Sequence, residues 1–542
     1  MITLPFDALP GSPRIFCDYV AHQEDASAFF TGHFTDVLAW ETHLQQLERR
    51  QYPRETLYTT LVEQNKRFHA GDAVWRNVEL LKRENTCAVV TGQQVGLFTG
   101  PMYTVYKALT AMHLAAWLKE QFPGYSFIPV FWMECEDHDF LEINNTGLIT
   151  TDNDFRRVTY AQPADEEEKN LAPVASISFD ERIEEVIREF CEQLPRTEFS
   201  DGITALLDNN YQTGVPLHVA FARLFNDLFP EAGIVFLDPT DVEIKRLAAP
   251  IILQELETYP TTGEEVIKRS AELDDRYHAQ IKPRAVNLFM IHKGNRYAIE
   301  PGDQGFFLKG TRQRFSREEL LELANTAPER FSPNVLLRPI VQDSILPTVS
   351  YVAGPSEVAY FAQLQPAYDH FQLPMPLIAP RSSITIVERK IEKLFGKYLL
   401  PYAAMFMDSD EMFRIATSDK PDEAPEMDFR TLSAVIEQHL AQLPATARAE
   451  HANLGDPAEA TVRNIQRALA TFEEKLQQHR RQKDEVMTRQ LTKMQAYLVP
   501  EGKPQERQIN VLVFVNRYGR DVLKLISDAC LPFPAEHRLL LL

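Results

Sequence analysis

Apolar positions recur along the chain in three different registers, and each predicts a different element. Between residues 35 and 85 they alternate with charged positions at helical spacing, as at Leu44, Leu47 and Tyr52 ahead of Pro53, which predicts helices. Cys87-Ala88-Val89-Val90 is instead a short unbroken apolar run closed by Thr91-Gly92, the pattern of a buried strand ending in a loop. A Gly-rich loop to Pro101 follows, then Val105, Leu109, Met112, Ala116 and Trp117 at helical spacing to about Gln121, where Pro123-Gly124 breaks the helix. Phe127 to Met133 is a second buried strand, running into the polar cluster Glu134-Cys135-Glu136-Asp137-His138-Asp139. Strand, loop, helix and strand form a βαβ unit of an α/β fold. In open parallel sheets, ligands bind at the carboxyl ends of the strands, where both polar clusters fall.

Further strands are predicted over 233–237, ahead of Asp238-Pro239-Thr240-Asp241, and over 287–291. The prolines strung from Pro333 to Pro380 predict short strands and loops returning to the site. The third register starts at Ile384. Ile384, Val387, Ile391, Leu394 and Tyr398 alternate spacings of three and four, as do Val462, Ile465, Leu469, Phe472 and Leu476, and then Met487, Leu491, Met494 and Leu498. With Glu, Gln, Lys and Arg flanking it, this is a coiled-coil seam, interrupted near Arg480 and Lys483. The tail, Ile509 to Val515 and then a helix from Asp521 to Cys530, is expected to fold back on the core.

Composition narrows the function classes. The 542 residues are 44% hydrophobic and 25% charged, values ordinary for a folded chain with a large core. The net charge of −21, with no basic stripe interleaved with aromatics, argues against nucleic acid and anionic membranes as partners. No segment approaches 18 uninterrupted apolar residues, so no membrane span is expected. Met1 to Asp7 lacks the basic start and apolar run of a signal peptide, and the five scattered cysteines, none in CxxC spacing, read as reduced thiols; a cytoplasmic protein without a tightly bound metal is expected.

Three clusters are candidates for chemistry. In Thr91-Gly92-Gln93-Gln94-Val95-Gly96-Leu97-Phe98-Thr99-Gly100-Pro101, glycines let backbone approach a ligand, and the helix start beyond Pro101 offers N–H groups to an anion; an ordinary turn is the plain alternative. It is neither a GxGxxG fingerprint nor a Walker A loop. In the second cluster, His138 or Asp137 is a candidate general base and Glu136 and Asp139 are candidate binding groups; a solvated loop is the alternative. The third cluster comprises Asn334, Arg338, Gln342 and Asp343, with Gly354-Pro355-Ser356-Glu357 and Tyr360. Arg338 stands in an apolar context and needs an anion, either a substrate or Glu357. Arg381-Ser382-Ser383 is a further, weaker anion site.

Together the strings TGQQVGLFTGPMYT (Thr91 to Thr104), PVFWMECEDHD (Pro129 to Asp139), SPNVLLRPIVQDSILPTVSYVAGPSEVAY (Ser332 to Tyr360) and PRSS (Pro380 to Ser383) resemble the bacillithiol-biosynthesis cysteine-adding enzymes, the BshC family, over the whole chain. One departure is Cys135, a thiol where a small residue is expected. The resemblance implies a Rossmann-like, nucleotidyl-transferase type core with inserted connecting segments and a C-terminal coiled-coil arm. The expected division is residues 1–383 for the core, with insertions at roughly 150–230 and 255–330, residues 384–508 for the coiled coil, and residues 509–542 returning to the core. It implies a ligase that joins cysteine to the amine of glucosaminyl-malate, and a homodimer through the coiled coil.

Class I aminoacyl-tRNA synthetases, to which the family's fold is similar, carry Thr/Ser-Gly-x-x-His-x-x-His at the loop-to-helix junction. Here Tyr103 and Tyr106 take the histidine spacing, followed by Lys107. A carboxylate is a poor electrophile, so amide formation calls for ATP, carried with Mg2+, by way of an acyl-adenylate or an acyl-phosphate. In so acidic a chain the polyanion needs locally gathered cations, for which Lys107, Arg338 and Arg381 are the candidates. Gln93, Gln94, Gly96, Thr99, Gly100, Tyr103, Asn334, Gln342, Gly354, Glu357, Tyr360 and Ser382 complete the expected binding set. Two other readings of the residues remain: a non-catalytic nucleotide-binding coiled-coil scaffold, and a metal-dependent hydrolase using Cys135, His138 and the nearby acids.

Overall fold

A computed structural model describes residues 2–160, 171–303, 305–418, 429–483 and 485–542. The chain forms two compact units, one of residues up to 386 with 500–542, the other of residues 387–499.

The first unit is built on a five-stranded sheet: β1 Thr86–Gln93, β2 Ser126–Met133, β3 Val235–Leu237, β4 Thr348–Ala353 and β5 Leu377–Pro380. The spatial order is β3-β2-β1-β4-β5, and every pairing is parallel. This 3-2-1-4-5 order reverses between β1 and β4, which makes the cleft above their carboxyl ends the switch point where doubly wound folds bind ligands. β2 is buried at every position, as expected of a strand covered by helices on both faces. The charged cluster begins where this cover ends. Helix α1, Met102–Gln121, crosses from β1 to β2 and packs on both. Residues 35–85 form three helices, Val37–Glu48, Arg54–Arg67 and Asp72–Leu80, which bury Leu44 and Leu47 in the same core.

Two readings of the pattern are corrected. The proline-rich return holds helices: α2 Leu337–Ile345, α3 Pro355–Phe361 and a short helix Gln365–His370. Pro339, Pro355 and Pro366 all sit in first turns, where a helix has no intrahelical use for the missing N–H. Ile384 to Val387 is a strand, not the start of the seam. All four residues are β-branched, which suits a pleated surface, and the partner strand comes from the far end of the chain. His537–Leu541 lies beside it and pairs antiparallel with Ile2–Leu4. The Gln505 side chain occupies the backbone groups of Ile386, accepting from its N–H at 2.8 Å and donating to its carbonyl at 3.0 Å.

A second sheet, antiparallel, comprises Leu288–His292, Asn295–Gly302, Gly305–Leu308, Arg314–Phe315 and Phe331–Pro333. It delivers Arg296 to the site. Residues 161–170, within the first expected insertion, lie outside the described residues.

The second unit is helical. Its longest helix, Gly455–Lys483, spans 29 residues. The seam divides in two. Met487, Leu491, Met494 and Leu498 are buried in helix Glu485–Leu498, on which helices Arg389–Lys397 and Ser409–Ser418 pack. Val462, Ile465, Leu469 and Leu476 are only half-buried, and Phe472 is 52% exposed. The side chains of Arg480 and Lys483, where an interruption is expected, lie outside the described residues.

Candidate active site

The loop after β1 follows a left-handed backbone path through three successive residues, two of them not glycine. Phe98, Thr99 and Gly100 all have positive φ, of 54°, 75° and 69°. A Cβ on Gly96 would stand 2.9 Å from the Gly100 Cα, so the loop closes on itself only because Gly96 lacks a side chain. The returning C-terminal segment fixes it: the Asn510 amide donates to the Phe98 carbonyl at 2.7 Å and to the Gly100 carbonyl at 3.0 Å. The α1 N-terminus is less open than the sequence suggests. The Met102 N–H donates to the Ile509 carbonyl and the Thr104 N–H to the Pro101 carbonyl.

A cavity of about 660 Å³ opens over the ends of β1, β2 and β4. Lys107, at the second turn of α1, is buried at its floor. Its ammonium meets Glu357 Oε2 at 2.5 Å, Gln93 Oε1 at 3.2 Å and the Gly92 carbonyl. Burial pulls its pKa below the ordinary lysine value, against the opposing pull of Glu357. Glu357 also accepts from the Gly354 N–H at 2.6 Å and from the Tyr351 hydroxyl at 2.9 Å, and is thereby held at the start of α3. Arg338, from the first turn of α2, pairs through Nε with Glu134 Oε1 at 2.9 Å. It also donates to Gln342 at 2.8 Å and to the Tyr360 hydroxyl at 3.4 Å. The internal partner of Arg338 is therefore Glu134 and not Glu357.

Glu134 is the residue that motif reading passed over. It is the first residue beyond β2 and lines the cavity. Burial raises its carboxyl to about 7; Arg338 opposes the rise, and the neighbouring Glu136 and Glu357 add to it. Its neighbours in the cluster are otherwise engaged. Glu136 pairs with Lys245. Asp137 accepts from Arg296 at 3.0 Å, from the His138 N–H at 2.8 Å and from Gln94 at 3.4 Å. His138 lies outside the main cavity, in an adjoining compartment.

Of the other expected residues, Gln93, Gln94, Gly96, Tyr103, Glu136, Asp137, Asn334, Gly354, Glu357, Tyr360 and Arg381 line the cavity. Tyr103 accepts from Gln93 at 3.0 Å and lies 5.6 Å beneath the Arg381 guanidinium, whereas Tyr106 is fully buried and absent from the lining. The synthetase-like spacing thus brings one of two tyrosines to the cleft. Thr99, Gly100, Asp139, Gln342 and Ser382 also stand outside it. Thr99 and Gly100 shape the loop, and Asp139 caps the short helix Phe140–Ile143. Gln342 holds Arg338, and Ser382 Oγ accepts from the Leu531 N–H at 2.9 Å. Residues without a motif complete the wall: Arg157, Arg296, Lys503, Arg507 and Gln508. Seven Lys or Arg and five Asp or Glu side chains line the cavity, and two of the cations, Arg381 and Arg157, pair with Glu506 at 2.6 Å and Glu501 at 2.5 Å behind its wall.

Cys135 does not join this set. It is buried, its thiol lies 3.5 Å from Asp238 Oδ1, and burial with Asp238 and Glu136 beside it raises its pKa well above the ordinary value. A neutral thiol facing the core is no nucleophile. Cys135→Ser is therefore expected to retain most turnover; complete loss in a folded variant, checked by circular dichroism, would contradict this. Among the described residues, no group of three or more His, Cys, Asp or Glu is placed to hold a metal ion, and no helix is long and apolar enough to cross a membrane.

The family model described as "Bacillithiol biosynthesis BshC, N-terminal Rossmann-like domain" matches residues 4–382, and the one described as its C-terminal coiled-coil domain matches residues 384–542. The chain belongs to the BshC family. Its relatives span nearly the full length. A protein of Chlorobaculum tepidum named "Putative cysteine ligase BshC" is 37% identical over 98% of this chain and 97% of its own. One of the same name from Salinibacter ruber is 36% identical over the same shares, and one from Bacillus cereus is 29% identical over 97% of each chain. The core and arm of this BshC-family chain are the Rossmann-like and coiled-coil domains of the family description.

Proposed function

We propose that the chain is a ligase that joins the carboxylate of L-cysteine to the amine of glucosaminyl-malate, with ATP activating the carboxylate. The observation that carries this reading is the placement of Lys107, Arg338 and Arg381 around one cavity at the switch point of a Rossmann-like sheet, with the Glu134 carboxyl among them. An amide bond forms only after the carboxylate gains a leaving group, and the positive groups offset the charge of the nucleotide and of the developing transition state. The attacking amine must lose a proton. Glu134 is suited to accept it, being half-ionised near neutral pH and facing the cavity. It fits that role better than Asp137, whose Oδ1 is held by Arg296 and the His138 N–H, or His138, which faces the neighbouring compartment.

Whether this cavity takes nucleotide and amino acid is tested by thermal shift. A ligand that binds only the folded protein stabilises it by about 2.7 kcal/mol at a hundredfold excess over Kd. ATP with cysteine should raise the melting temperature of the wild-type chain and raise it less in Lys107→Met. No shift in either protein would favour a scaffold without catalysis.

The arm is proposed to join two copies of the chain. Val462, Ile465, Leu469 and Leu476 form a stripe that the second unit covers only halfway, with Phe472 exposed beside it. Replacing Leu469 and Leu476 together by Glu should give monomers by light scattering, with the core's circular dichroism unchanged. An unaltered dimer would show that the stripe is not the contact.

A further inference from the structure

Beside the main cavity lies a second compartment of about 520 Å³. The two share Asp137, Arg296, Asn334, Val335, Ser356 and Tyr360, so one cleft runs through both. The link is polar and continuous: Glu134 pairs with Arg338, and Arg338 donates to Tyr360, which lines both compartments. The compartment's own wall is basic and aromatic. Arg296 is buried, held by Asp137, by Ser332 Oγ at 2.9 Å and by the Pro333 carbonyl at 2.9 Å, and its guanidinium stands 3.8 Å over the Phe289 ring. Arg284 reaches the same ring at 5.3 Å, and Lys282 lies two residues before it. Among the described residues neither Arg284 nor Lys282 has an acidic partner, and Asp137, the one acid in the lining, is taken by Arg296.

We propose that this second compartment is a dicarboxylate subsite, in which Arg284 and Lys282 receive the two carboxylates of the acceptor substrate while its amine reaches Glu134 in the main cavity. Two cations without an acidic partner among the described residues match the charge of a dicarboxylate, and a guanidinium fork fits a carboxylate in two-bond geometry. Arg296, fixed on Phe289, supplies a rigid wall and not a mobile charge. A triphosphate carries more charge than these two groups offset, and Lys503 and Arg507 lie in the other compartment. The assignment rests on the proposed acceptor, whose malate moiety carries two carboxylates.

The test is isothermal titration of the full-length protein with L-malate, with malamide, with inorganic phosphate and with ATP. The wild-type chain should bind L-malate and not malamide. The double variant Lys282→Gln with Arg284→Gln should bind L-malate at least tenfold more weakly, with ATP affinity and melting temperature unchanged. Equal malate affinity in the two proteins would overturn the assignment, as would absence of malate binding to the wild type at millimolar concentration. Loss of phosphate and ATP binding with malate unaffected would overturn it in favour of a nucleotide phosphate site. If malate binding behaves as expected but the wild-type chain forms no amide product, the subsite stands and the proposed reaction falls.

Discussion

Arg338→Ala is expected to lower kcat/KM by about 2–5 kcal/mol, roughly 30- to 5,000-fold, the cost of truncating one member of a desolvated charge pair. The side chain is buried between Glu134, Gln342 and Tyr360, so nothing else can take its place. Two effects add. The cavity loses a cation from its lining. Glu134 also loses the positive charge that holds its carboxyl down, so its pKa rises further above 7. The variant's kcat/KM should therefore reach its plateau at a more alkaline pH than the wild type, in addition to being lower. A residue that only supports the fold would lower the melting temperature and leave the position of the pH limb unchanged. Kinetics across pH 6 to 9 with a melting curve on the same protein separates the two.

Glu134→Gln is expected to lower turnover by about 10²–10⁴-fold, the usual contribution of a positioned general base. The sign of the pH effect follows from the raised carboxyl. Below about 7 Glu134 is mostly protonated and cannot accept a proton; above it the carboxylate is available. Wild-type kcat/KM should climb with pH through about 7 and then level, and in Glu134→Gln that limb should vanish while the residual rate stays low. A retained limb would assign the titration to the substrate amine or to another group, with His138 the next to examine.

The sequence carried the centre of the main sheet more clearly than the sheet formed by the chain ends. β1, α1 and β2 were legible because a buried parallel strand is an unbroken apolar run and the helix between two such strands is local. Ile384 to Val387 misled because four β-branched residues fit the opening of a three–four seam as well as a strand, and the deciding partner, His537–Leu541, lies about 150 residues away. The prolines misled because their position within a first turn, not their number, decides whether a helix forms. In the site, Lys107, Arg338, Glu357 and Arg381 were legible as charges in apolar or glycine-rich settings. Arg296, Lys503 and Arg507 were not, because nothing around them repeats or stands out, and only tertiary folding brings an insertion strand and the C-terminal return to the cleft. Glu134 was hidden among the acids of its cluster. What sets it apart is burial beside Glu136 and Glu357, which raises its carboxyl to about 7, a distinction that exists only in three dimensions.

The central claim is the reaction itself, and the most direct measurement is mass spectrometry of the products from purified chain with cysteine, glucosaminyl-malate and ATP. The expected product is a species at the summed mass of cysteine and glucosaminyl-malate less one water, absent when ATP is omitted, accompanied by stoichiometric AMP or ADP and strongly reduced in Glu134→Gln. AMP would mark an adenylate route and ADP an acyl-phosphate. ATP left intact with no new amide, or an amide formed equally well without ATP, would contradict the proposed reaction.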